Sequence, residues 1–176
     1  EIGRNFRNEW SSPSHMQEFT ALEHYCVYWN YEDNMKFMED MFDYLIKACD
    51  LSIETEVLDK WWVSKLVNRS TPRQRIDYIS AVNKKTWLDI STYTEADAEQ
   101  LRADIQKTWH SREGMQTQSS ATMIDYLYKK VLRPTIVWPA FVYNYPKTMQ
   151  PLARQSDADD QIVEQFQLVV NGREIC

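Results

Sequence analysis

Two alternating runs near the start of the chain, Ile2 to Glu9 and Glu18 to Tyr28, are separated by the segment WSSPSH. Ser-rich sequence around Pro13 is loop chemistry, so the pattern predicts strand, long loop, strand. Side chains two apart on a strand share a face, which puts Arg7 with Glu9, and Phe19 with Ala21, Glu23 and Tyr25. Pairing of the two strands then gathers a guanidinium, two carboxylates, a phenol and a phenyl ring on one surface. Arg offers a planar fork that matches phosphate oxygens, and Phe19 offers a face for stacking a base. An ordinary hairpin with its charges in water fits the same residues. The residues alone leave both readings open.

The rest of the chain limits the choices. Its 176 residues fit one domain with room for a real core. A hydrophobic content of 43% and a charged content of 26% exclude a disordered chain. The net charge of -6 argues against a general nucleic-acid surface but leaves room for a local arginine pocket. Cys26, Cys49 and Cys176 are odd in number and far apart, with neither zinc spacing nor a disulfide framework. A reduced, cytoplasmic setting is the expectation, with no signal peptide and no membrane-spanning run.

Periodicity supplies the elements. Tyr31 to Cys49 predicts an amphipathic helix, with Met35, Met38, Phe42 and Leu45 inward and Glu39, Asp40 and Asp43 elsewhere. Leu51 to Val67 predicts two short strands with a turn near Asp59 and Lys60. Thr71-Pro72 predicts a helix start, with Ile76, Ile79 and Val82 on its apolar side. Thr94 is an expected N-cap for a helix reaching Trp109, and Ser119 or Ser120 for one ending at Pro134. Pro139 to Tyr143 predicts a strand and Tyr145-Pro146 to Arg154 a loop. Val163 to Val170 alternates into Asn171-Gly172, a strong hairpin signal.

FRNE, a loop ending in His15 and then EFTALEHY resemble motif 2 of the class II lysyl-tRNA synthetases. RIDYISAV, LDISTYTEADAEQLRADI, ATMIDYLYKKVLRP, PAFVYNYPKTMQPLAR and VEQFQLVVNGREI resemble, in order, the catalytic domain downstream of that motif. The resemblance implies an α+β fold: part of the antiparallel sheet of a class II core, in a single domain with a helical insertion at about 71–134. It implies lysine activation by ATP with Mg²⁺, and then transfer to tRNA. On this resemblance Arg7 grips the α-phosphate and the lysine carboxylate, Glu9 accepts from the adenine amino group, Phe19 stacks on the ring and His15 reaches the outer phosphates. Glu23 and Tyr25 fall at lysine-binding positions, and Glu174 at a Mg²⁺ position whose second carboxylate is replaced by Gln167.

The resemblance also implies that motif 1, the glycine-rich motif 3 and the anticodon-binding domain fall outside this sequence, so that activity is expected to be impaired. The sequence has only 3 Gly, against about a dozen at a usage of roughly 7%, and it has 7 Trp. The same resemblance implies glycine at the positions of Trp10 and Trp138, and also at that of Trp87. Tryptophan is expected to serve neither a positive φ nor a close backbone approach. An alternative expectation is therefore an excised or engineered scaffold without catalysis, which associates with itself or a partner through Trp61 and Trp62.

Overall fold

Val163 to Val170 alternates as a strand whose two faces are both covered, and it is the axis of the fold. The computed structural model describes residues 1–8, 15–58 and 63–175. Along the chain, β1 (Ile2–Phe6) and β2 (Glu18–Leu22) form a hairpin, and α1 (Tyr31–Ala48) follows. A second hairpin, β3 (Glu54–Leu58) with β4 (Ser64–Asn68), leads to β5 (Gln74–Asp77) and α2 (Tyr78–Thr86). Next come α3 (Ala98–Lys107) and α4 (Ser120–Leu127), then β6 (Ala140–Pro146), β7 (Ile162–Val170) and β8 (Arg173–Glu174). Among the described residues no helix is long and apolar enough to cross a membrane.

The principal sheet has the order β5-β6-β7-β8. β6 to β8 are antiparallel neighbours, but β5 runs parallel to β6, with Gln74 opposite Ala140 and Asp77 opposite Tyr143. The expected all-antiparallel sheet is therefore mixed. Phe141 and Leu168 point to one face, where Met35 and Met38 of α1 cover them. Ala140, Val142, Val163 and Val169 point to the other face, against Tyr78, Leu101, Leu127 and Tyr128. The result is a helix, a sheet and a helical layer in sequence.

Several expectations change here. Residues 74–77 form a strand, and the helix starts only at Tyr78, capped by Asp77, whose Oδ1 accepts from Ser80 N–H at 2.8 Å. The reason is tertiary. Glu39 is buried rather than outward, and its Oε1 accepts from Arg73 N–H at 2.8 Å and from Arg75 Nη1 at 3.1 Å. Asp43 likewise takes Arg73 Nη2 at 3.2 Å. This network ties α1 to β5 and overrides the local helix signal of Thr71-Pro72.

Tyr145 lies in β6 rather than in a loop. A register shift between Tyr143 and Tyr145, with Asn144 at φ 57°, turns the Tyr145 ring into the core. The helix predicted to reach Trp109 stops at Lys107, because Thr108 Oγ1 donates to Ile105 O at 2.9 Å and closes the last turn. Trp109 stands outside at φ 63°. Trp87 caps α2 at φ 62°, with its N–H on Asn83 O at 2.8 Å, so a tryptophan does occupy a left-handed position here.

Candidate functional site

Backbone bonding sets the position of the first candidate residue. The β1–β2 ladder pairs Asn5 with Phe19 and Phe6 with Glu18, and Arg7 N–H donates to Gln17 O at 2.8 Å. Arg7 therefore lies opposite Gln17 and one step along from Phe19 on the same face. Its guanidinium carbon is 5.3 Å from the centroid of the Phe19 ring. Nearby, Arg4 Nη1 meets Glu18 Oε1 at 3.2 Å on the exposed surface.

Phe19 lines a cavity of about 600 Å³ between the hairpin, α1 and the end of the sheet. Its walls include Met38, Met41, Phe42, Phe166 and Ile175. An apolar slot with a cationic fork at Phe19 suits a flat ring carrying anionic groups.

The other predicted residues separate into groups. His15 is exposed at the start of the returning segment. Glu9, with Trp10, falls outside the described residues. β2 ends at Leu22, but one further pair forms, the Glu1 ammonium donating to Glu23 O at 2.8 Å, so Glu23 keeps the face of Phe19 and Ala21 while Tyr25 lies beyond the pairing. Glu23 is exposed, its N–H on Glu1 O at 2.9 Å, and Tyr25 is 96% exposed. The expected continuous strand to Tyr28 stops at this pair, and Tyr28, at φ 66°, then lies in the turn that precedes Asn30, the N-cap of α1.

His24 occupies the place expected for its neighbours. It lines the cavity, its Nε2 lies 3.1 Å from Asn34 Oδ1, and its ring is 4.7 Å from Phe37. A polar–aromatic pair three residues apart on α1, Asn34 and Phe37, is the sequence signal that could have found it. A second cavity, about 350 Å³, lies beside Trp29, Tyr31, Arg154, Glu164 and Phe166. The Tyr31 hydroxyl there has its pKa raised, first by burial and then by neighbouring carboxylates such as Glu32 and Glu164.

Glu174 stands apart from Phe19. Ile175 faces the cavity, so Glu174, one residue earlier on β8, faces the helical layer. There its Oε1 accepts from Arg133 Nη1 at 2.5 Å. Gln167 shares that face, and its Oε1 accepts from the Tyr145 hydroxyl at 2.5 Å. No cluster of three or more metal-ligating side chains occurs among the described residues. A hard dication needs several free oxygens. The residues at this position do not fit Mg²⁺.

Residues 1–176 match the family described as tRNA synthetases class II (D, K and N). The chain belongs to that class II family. It is 31% identical to a lysine–tRNA ligase of Aquifex aeolicus over 184 residues, covering 100% of this chain and 28% of that protein. A lysine–tRNA ligase of Porphyromonas gingivalis is 31% identical over 176 residues, all of this chain and 29% of that protein. One from Campylobacter jejuni is 34% identical over 180 residues, all of this chain and 33% of that protein. This class II chain thus spans about a third or less of the relatives it matches. Trp61 and Trp62, the expected association surface, fall outside its described residues. Trp138 sends its Nε1–H to Leu66 O at 3.1 Å.

Proposed function

We propose that this class II chain is part of the catalytic core of a lysine–tRNA ligase, the part that holds ATP and lysine while lysyl-adenylate forms. The single observation that carries this reading is the Arg7 guanidinium set 5.3 Å from the Phe19 ring, which itself lines the large cavity.

In this reading the adenine ring stacks on Phe19, with its amino group toward Glu9. The Arg7 fork binds the α-phosphate, and His15 meets the outer phosphates. A lysine carboxylate oxygen attacks the α-phosphorus, a new P–O bond forms, and the bond to the leaving pyrophosphate breaks. Charge on the α-phosphoryl oxygens rises as that happens, and a fixed guanidinium stabilises it without reorganising. Glu23 and Tyr25 serve the lysine substrate. Both stand in solvent, so this role requires the segment after Leu22 to fold back over the cavity when ligand binds. Mg²⁺ accompanies ATP in solution, and tRNA is the acceptor in the whole enzyme.

Calorimetric titration with ATP, then with lysine, tests this assignment. Saturable ATP heat that Arg7→Ala removes is the expected result. Folded protein that takes up no ATP overturns it and leaves a structural module derived from the same core.

A further inference from the structure

We infer that Arg133 is the resident cation at the Glu174 position and shuts a divalent metal ion out of it. Backbone docking fixes the arrangement. The turn between β7 and β8 is pinned to the end of the helical layer, with Asn171 N–H on Val137 O at 2.9 Å and Gly172 N–H on Ile136 O at 2.8 Å. Gly172 is so close to that segment that a Cβ would meet Pro134 Cα at 3.2 Å and Arg133 O at 3.4 Å. The turn therefore delivers Glu174 to Arg133 as a consequence of backbone docking, and the 2.5 Å ion pair follows.

The guanidinium is held on its own side as well. Its carbon lies 6.0 Å from the Tyr128 ring centroid, and its Nε is buried with no acceptor among the described residues. Glu174 is thus the carboxylate that compensates a partly desolvated cation, and moving it away leaves that charge uncompensated. A dication at the same carboxylate must also overcome repulsion from the guanidinium a few ångströms away.

The second oxygen a metal would use is also engaged. Gln167 is neutral, and its Oε1 takes the Tyr145 proton. Tyr145 is in turn 3.3 Å from the Tyr128 hydroxyl, directly beneath the Arg133 stack. The guanidinium, the amide and two phenols fill the place with protein atoms. In the nucleotide reading, phosphate charge is then neutralised by arginines such as Arg7 rather than by a metal held on β8.

Manganese titration followed by electron paramagnetic resonance tests this without any nucleotide, so its outcome is independent of whether ATP binds. With Mn²⁺ alone, wild type and Glu174→Gln should give the same free-ion signal at every concentration. The double variant Arg133→Met/Gln167→Glu keeps the acceptor for Tyr145 and a stem on Tyr128 but removes the cation. It should gain about tenfold in Mn²⁺ affinity, from two carboxylates acting together, and a third change, Glu174→Gln, should abolish the gain. Wild-type Mn²⁺ binding that Glu174→Gln removes overturns the inference, as does a folded double variant that gains nothing. Should the double variant fail to fold, the comparison of wild type with Glu174→Gln still decides.

Discussion

The Arg7 guanidinium carbon lies 5.3 Å from the centre of the Phe19 ring, across the first hairpin of the chain. A cation over a ring face holds the fork in one orientation, and the ring face left exposed is where a base could stack. Phe19→Leu keeps bulk but loses the π surface, so ATP affinity should fall by about 1–3 kcal/mol, the usual range for one stacked base. Arg7→Lys should also weaken ATP, since an ammonium cannot grip two oxygens of one phosphate. Unchanged titration curves for both variants would remove the hairpin from the nucleotide site.

Glu39 is a stability residue. It is 5% exposed and accepts from both Arg73 and Arg75, while Arg75 stacks 4.4 Å over the Phe141 ring. Glu39→Ala should cost about 3 kcal/mol, because it strands the partly buried Arg75 guanidinium and leaves the Arg73 backbone N–H without its acceptor. Urea midpoints report it. A shift no larger than that of an exposed pair such as Lys36 with Asp40 would show the network to be solvated.

Trp87 caps α2 in the left-handed region while 88% exposed, so its indole contributes little packing and its Cβ strains the backbone. Trp87→Gly should raise stability by about 1 kcal/mol, seen as a higher Tm. A lower Tm would mean that the indole packs in solution.

Gly172, at φ 71°, has both a conformational and a steric reason to be glycine. Gly172→Val should destabilise by about 2 kcal/mol or more, whereas Asn171→Gly, in the same turn, should be nearly neutral. Equal effects at the two positions would argue against close docking of the turn on Pro134.

Alkaline pH should weaken the fold. Burial, ahead of weaker opposed contributions from neighbours, raises the Tyr128 hydroxyl from 10.0 to about 12, and burial chiefly raises Tyr78 and Tyr145 further still. A raised folded-state pKa means that the neutral phenol is the stabilised form. Its contribution is complete below pH 10 and is lost as pH climbs toward about 12. Unfolding midpoints measured across that window should fall, together with tyrosinate absorbance appearing as the chain opens. Three phenols ionising in the folded state near pH 10 would contradict the buried cluster.

Local chemistry was sufficient where an element's own residues decide it. Asn171-Gly172 takes two positive φ values, Asn30 closes a capping box onto α1, and Ser119 caps α4 through its hydroxyl at Thr122 N–H. The alternation of residues 163–170 became β7 because two apolar faces need two covered surfaces. Strand periodicity sorted Arg7 and Phe19 onto a face of each strand, and the hairpin register then set the two side by side.

Long-range partners decided the rest. Residues 74–77 read as helix until Glu39, far away on α1, captures Arg73 and Arg75 and lays that stretch beside β6. Tyr25 read as continuing a strand, but the pairing stops at Glu23, and it is His24 that lines the cavity. Glu174 read as a metal position until docking of the β7–β8 turn gave it Arg133. Short-range spacing fixes which way a side chain points along its own element. Which charge meets it from the neighbouring layer depends on how the layers pack, and only the folded chain determines that.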